Sequence, residues 1–369
     1  MAPPPVLMDE LVEECLLRLP PDDPAHLVRA ALVCKGWRRI VTDTDSGFGR
    51  RFRELHGRPL VLGFLHMHTR YGSFFTPKSS FRPRDVNAYL RSASADGRHA
   101  IDFRHGRVLL SSTPSLFGTR RTARRSDLAV WDPVSGDQLD LPELPLPQLQ
   151  HPDDWFCFNS KAAVLCASSG ACDHLDCHRG HVVLMDATTY YEVDVVDVYI
   201  YSSQAGAWSH LTPCSAAHDH NSTHVLHRQQ PVTMAGNVLY FSVHKRMTNG
   251  STTWVSMNQS CRILLTTTEH SGLGIVRVEK NYSRLHLWSR EAGPNGVLGW
   301  APSGVIELET VLPAANSGSI YTVSVVHGLR AFFITTKNVN YFVPYTSFCT
   351  PALGAAFTGE GPTAGVPSA

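Results

Sequence analysis

Near residue 60 the spacing of the apolar residues changes period, and this change limits the possible folds more than any other feature of the chain. Before it, Leu11, Cys15, Leu16 and Leu19 recur at three- and four-residue steps, the period of an amphipathic helix. Glu10, Glu13, Glu14 and Arg18 fill the other side of that helix, and Leu17 projects away from its main stripe. Pro20-Pro21 ends it. Asp22-Asp23-Pro24 then reads as a cap followed by a proline at the first helical position, where a missing N–H costs nothing. A second apolar segment runs from Leu27 to Val41, with Gly36 expected to weaken or interrupt it, and Ser46 to His56 reads as a further, basic helix. After residue 60, short β-branched and aromatic runs alternate with glycine, proline and Asp/Asn/Ser clusters, the pattern of strands and turns. Val108-Leu109-Leu110 and Val198-Tyr199-Ile200-Tyr201 are examples.

The second region repeats itself. Aliphatic, any, aliphatic, aromatic, four residues, glycine occurs as Leu128-Ala-Val-Trp131 to Gly136, Val198-Tyr-Ile-Tyr201 to Gly206, and Leu285-His-Leu-Trp288 to Gly293. Each copy predicts a strand, a tight turn and a returning strand, with the glycine free to take the left-handed conformation. A second pattern, glycine followed by an apolar strand, occurs at Gly106, Gly180, Gly236 and Gly328. Such repeats point to a β-propeller-like domain, and about 290 residues at roughly 40–50 per blade predicts six or seven blades. A β-sandwich with similar hairpins is the alternative. The expected fold class is multidomain α plus all-β. The expected boundaries are a disordered start at 1–5, a three-helix unit at 6–45, a helical linker at 46–60, the β-propeller-like domain at 61–357 and a disordered tail at 358–369.

Charge and chemistry narrow the function. The 369 residues carry 33 Lys plus Arg against 32 Asp plus Glu, a balance that argues against a polyanion-binding domain. The basic cluster Arg38, Arg39, Arg50, Arg51 and Arg53 lacks interleaved aromatics and reads as a solvated or acid-steering surface, so no nucleic-acid partner is expected. No secretory leader or membrane-spanning run is read, and nine cysteines in a chain this long suit reduced thiols, so cytoplasm, nucleus or both is the expected location. Cys172, His174, Cys177 and His178 are the candidate metal ligands, but they include no C-x-x-C pair and fit no common finger spacing. No nucleophile elbow, zinc-protease helix or phosphate loop occurs, so no catalytic residue and no cofactor are expected. A propeller enzyme built from scattered loop residues is the rival class, with a perturbed-pKa cluster in a central pocket as its mark.

The first region needs a partner. On one continuous wheel, Leu27 to Val41 is apolar all round, which is the signature of burial on every side. A unit of about 50 residues has too little bulk to cover several such helices. Part of this surface is therefore expected to be an interaction site.

Leu7-Met-Asp-Glu-Leu11-Val-Glu-Glu-Cys15-Leu-Leu-Arg-Leu19-Pro20-Pro21, then Leu27-Val-Arg29, then Val33-Cys34-Lys35-Gly-Trp37-Arg38-Arg39-Ile40, resembles an F-box. Leu7-Met8 stands where Leu-Pro is usual, and Cys15 where isoleucine is usual. The rest of the chain resembles the β-propeller-like half of plant F-box proteins, particularly a grass family, through Val130-Trp131-Asp132-Pro133 to Gly136 and Tyr201-Ser-Ser to Gly206-Ala-Trp208. The resemblance implies docking onto a Skp-type adaptor and, through it, onto the cullin and RING subunits of an SCF-type ubiquitin ligase; no membrane partner is expected, because no run of 18 apolar residues occurs. It implies Leu7, Leu11, Leu19, Pro20, Leu27, Val33, Cys34 and Trp37 as the docking residues. It further implies that the C-terminal domain binds an unknown protein substrate for ubiquitination.

Overall fold

The computed structural model describes residues 7–22, 25–42, 47–57, 60–68, 72–78, 81–83, 98–104, 106–111, 128–133, 136–145, 157–166, 180–190, 193–211, 222–226, 232–235, 238–241, 243–247, 262–268, 272–279, 283–293, 295–311, 322–326, 331–335 and 341–347. Four short helices come first: α1 (Asp9–Leu17), α2 (Ala25–Ala31), α3 (Lys35–Thr42) and α4 (Phe48–His56). Asp9 and Glu10 sit in the first turn of α1, where they complement the positive end of the helix dipole. The expected long segment from Leu27 to Val41 is split. α2 ends at Ala31, and α3 restarts with the Cys34 sulfur accepting the Trp37 backbone N–H at 3.4 Å. Gly36 lies inside the first turn of α3, so the break falls ahead of it.

The helices build their own core from Val12, Leu16, Leu17, Leu27, Ala30, Ile40, Val41, Phe48 and Phe52, with Leu19, Val28 and Trp37 packed against it. Two expectations change here. Leu17 does not project outward but is 5% exposed, whereas Leu11 and Cys15 of the supposed inner stripe face solvent. And α4, expected as a linker, supplies the two phenylalanines that are most deeply buried in this core. The His56 ring also hydrogen-bonds the Leu17 carbonyl at 2.7 Å and so ties the end of α4 to the end of α1.

The remaining described elements are strands, apart from a one-turn helix, α5 (Leu308–Val311). β1 (Leu60–His68), β2 (Gly72–Pro77) and β21 (Tyr341–Ser347) form a three-stranded antiparallel sheet, so the last strand returns to pair with the first. Three four-stranded meanders follow in chain order. The first is β3 (His99–Arg104), β4 (Arg107–Ser111), β5 (Leu128–Trp131) and β6 (Gln138–Asp140). The second is β7 (Cys157–Cys166), β8 (Gly180–Tyr190), β9 (Val193–Ser202) and β10 (Ala207–Leu211). The third is β15 (Arg262–Thr267), β16 (Leu273–Val278), β17 (Arg284–Ala292) and β18 (Leu298–Glu307). Two-stranded pairs join β11 (Ser222–Leu226) to β14 (Val243–Met247), β12 (Thr233–Ala235) to β13 (Val238–Tyr240), and β19 (Thr322–Val326) to β20 (Ala331–Thr335).

Neighbouring sheets meet in succession: β12 beside β15, β15 beside β19, β19 beside β21, β21 beside β3, β3 beside β7, and β7 beside β11. This is a β-propeller-like arrangement. The expected count of six or seven blades is not confirmed; among the described residues four sheets have three or four strands, and the other strands stand in pairs.

Each copy of the sequence repeat is the outer hairpin of a four-stranded sheet: β5–β6, β9–β10 and β17–β18. Gly136 (φ 84°) and Gly206 (φ 63°) take the left-handed conformation, as expected, and donate back to the Asp132 and Ser202 carbonyls at 2.8 Å. In the third copy Gly296 (φ 71°), and not Gly293, takes that role. The second glycine pattern opens β4 and β8; its copies at Gly236 and Gly328 lie outside the described residues.

Packing follows strand alternation. Val108 and Leu110 of β4 enter one core with Leu62, Leu65, Phe81, Trp131 and Tyr345, while Leu109 between them enters another with Tyr199, Tyr201 and Val182. The first four-stranded sheet is thus buried on both faces, which is why its strands read as unbroken apolar runs.

Candidate functional site

On the helical unit, the side chains that face the core at Val12 and Leu16 leave the next stripe of α1 in water. Leu7 is 61% exposed, Met8 64% and Leu11 49%, and Cys15 is exposed one turn beyond. The turn between α2 and α3 adds Leu32 (64%), Val33 (63%) and Cys34. A buried leucine gains about 1.5–3 kcal/mol over an exposed one, so a surface this apolar gains by being covered.

The eight residues singled out from the sequence fall into two groups. Leu7, Leu11, Pro20, Val33 and Cys34 face solvent. Leu27 is buried in the bundle core, and Leu19 and Trp37 pack against it. Met8 and Leu32 belong with the exposed group but were not singled out. A signal for Met8 existed in its place beside Leu7, and one for Leu32 in the all-round apolar wheel.

The basic residues around this face are mostly matched by acids of the same unit. Arg39 bonds Asp9 at 2.7 Å, Arg51 bonds Glu13, and Arg50 lies 4.0 Å from Glu54. Arg18 adds a pair with Glu14 at 2.7 Å. These are exposed or half-exposed pairs worth a fraction of a kcal/mol each. Their effect is to neutralise part of the basic charge of the helical unit.

A second group of charges lies where the inner strands meet. The Asp102 carboxylate of β3 accepts from Arg104 Nε at 3.0 Å and from the Val164 backbone N–H of β7 at 2.9 Å. Arg104 also donates to the Val232 carbonyl, beside β12. Lys161 of β7 keeps some exposure, yet the protein packed around it pushes its ammonium down to about 8, with Asp102 opposing the shift. Asp102 and Arg104 therefore cross-link three sheets. Among the described residues no group of three or more His, Cys, Asp or Glu is placed to hold a metal ion, and Cys172, His174, Cys177 and His178 lie outside the described residues. No described helix is long and apolar enough to cross a membrane.

The family that matches this geometry is specific to the helical unit. Residues 7–48 match the F-box domain. The match reaches Phe48, the first residue of α4, in accord with that side chain's burial in the bundle. No curated protein is significantly similar to the chain. Among solved structures, a mutant of the Aleuria aurantia lectin in complex with alpha-methyl-L-fucoside is 10% identical over 75% of this chain and 88% of the lectin, with a TM-score of 0.30. A prolyl endopeptidase is 12% identical over 91% of this chain and 52% of its own length, with a TM-score of 0.28. Neither likeness is close enough to carry an argument, and the β-propeller-like description rests on the succession of neighbouring antiparallel sheets.

Proposed function

We propose that the protein is a substrate-recognition adaptor of an SCF-type ubiquitin ligase. The F-box docks a Skp-type adaptor, and through it the cullin and RING subunits. The β-propeller-like domain binds the protein to be ubiquitinated. In this reading the chain acts in the cytoplasm, the nucleus or both, and performs no bond chemistry itself. Its contribution is to hold a target lysine near the conjugating enzyme, where proximity replaces a bimolecular encounter.

The observation that carries the reading is the F-box match at residues 7–48 together with the apolar residues that unit leaves in water, Leu7, Leu11 and Val33 above all. Of the sequence candidates, Leu7, Leu11, Pro20, Val33 and Cys34 are proposed to touch the adaptor. Leu19, Leu27 and Trp37 are proposed to hold the helices that present them.

The test is capture of a purified Skp-type adaptor by the full chain. Wild type is expected to capture it, and Leu11→Asp with Val33→Asp to lose capture by more than about a hundredfold at an unchanged melting temperature. Undiminished capture by the folded double variant would remove this face as the docking site. No capture by wild type would remove the ligase reading.

A further inference from the structure

The third four-stranded sheet is built differently from the first. One face, carrying Leu264, Val276, Val278 and Leu285, is buried with Leu308 of α5. The strand register places Ile263, Ile275, Arg277, His286, Trp288, Arg290, Leu298, Trp300, Pro302 and Val305 together on the opposite face. Ile263 (52% exposed), Leu298 (58%), Trp300 (46%) and Val305 (54%) lie open there, and Trp288 is only half-buried. Tryptophan and arginine on an exposed apolar surface are the composition of an interaction hot spot.

Charge selects the partner. Arg277, Arg284 and Arg290 lie on this face with two acids, Glu307 opposite Arg284 in register and Glu279 bonded to His286. Arg284 takes up Glu307 at 2.8 Å. The Glu279 carboxylate accepts from the His286 ring at 2.8 Å, and that bond, aided by Ser283, holds its carboxyl below the usual range. Arg290 instead reaches over the Trp300 ring, 6.0 Å from its centre. The surface is therefore apolar and carries three arginines against two glutamates, with Arg290 lying over an exposed ring.

Its edge suits an extended chain. β18 is the outermost strand, and its side away from β17 has no strand partner among the described residues. Pro302, which has no N–H, and the bulge opposite Leu287/Trp288 blunt the second half of that edge. The run from Leu298 to Ala301 is left open for main-chain pairing.

We propose that this face, with the open half of β18, binds an extended acidic segment of a target protein in which carboxylates alternate with aliphatic or aromatic residues. The apolar side chains settle on Trp300 and Trp288, and the carboxylates meet Arg290. The inference deepens the target-binding half of the proposed function and does not involve the F-box.

The test uses purified full-length protein without any adaptor. Two fluorescein-labelled peptides are titrated by anisotropy, one alternating glutamate with leucine and phenylalanine, the other with lysine at each glutamate. The acidic peptide is expected to bind at least about tenfold tighter, and Trp300→Ala to weaken it by more than about tenfold. Arg290→Glu is expected to abolish the preference for acid, while Leu11→Asp with Val33→Asp leaves peptide binding unchanged. Because that double variant separates adaptor capture from peptide binding, the two ideas can fail independently. Equal binding of the two peptides, or an unchanged affinity in folded Trp300→Ala and Arg290→Glu, overturns the proposal. So does a concentration-dependent dimer abolished by Trp300→Ala, which would give the face to a second copy of the chain.

Discussion

Trp131 and Trp288 hold the same position in two copies of one sequence repeat, yet Trp131 is fully buried and Trp288 is half open. The repeat fixes a strand, a turn and a returning strand, and both copies make that hairpin. It does not fix what lies against the hairpin. The first four-stranded sheet has a core on each side, with Trp131 in one and Leu109 in the other. The third sheet has a core on one side, and its tryptophans look outward. Equal motifs can thus do unequal work: one closes the domain, the other offers a surface.

The largest effect expected from this contrast is on stability. Trp131→Ala should cost about 3–5 kcal/mol by denaturant unfolding, while Trp288→Ala should cost clearly less. Equal losses would mean that the third sheet is as tightly covered as the first.

Lys161, beside Asp102 at the junction of the first two sheets, gives a pH test. Its group titrates near 10.5 when unfolded and near 8 when folded. Between those values the unfolded chain binds more proton, so this group makes stability rise with pH through that window and imposes its full cost below about 8. Lys161→Met should flatten that rise in urea midpoints measured across the window. A rise of undiminished slope in the variant would assign it elsewhere.

The turns sharpen the comparison at a smaller scale. Gly136→Ala and Gly206→Ala should each cost about 1–2 kcal/mol, because alanine resists the left-handed conformation. Gly293→Ala, at the equivalent repeat position but without positive φ, should cost less, and thermal melts of the three variants rank them. The smallest effect belongs to Trp300→Ala, expected within about 0.5 kcal/mol of wild type because the ring already faces water. A loss comparable to that of Trp131→Ala would show the ring to be structural, and the open face would then have no claim as a binding surface.

Much of this molecule was legible in the chain. The change of period near residue 60 separated helices from strands, and the three Gly-terminated repeats marked the outer hairpins of the three four-stranded sheets. The irregular 70- and 87-residue offsets between the repeats did not yield the blade count, because the closing sheet and the two-stranded pairs carry no copy of the pattern. The helical unit is readable as needing cover, but the stripe Leu11, Cys15, Leu16 and Leu19 mixes two residues that face solvent, Leu11 and Cys15, with two that belong to the core side, Leu16 and Leu19. Leu11/Cys15 and Val12/Leu16 are adjacent apolar rows on one helix, and helical spacing alone scores both.

The sequence by itself determined the local order: which residues form helices, which form strands, where the chain turns back, and which side chains share a face. These follow from backbone sterics and the fixed periods of 3.6 and 2. Only the tertiary structure decided which of those faces meets protein and which meets water. Burial depends on elements distant in the chain, as when α4 brings Phe48 and Phe52 under α1, or β21 returns to pair with β1. A pattern of apolar residues states that a face will be covered; it does not state by what.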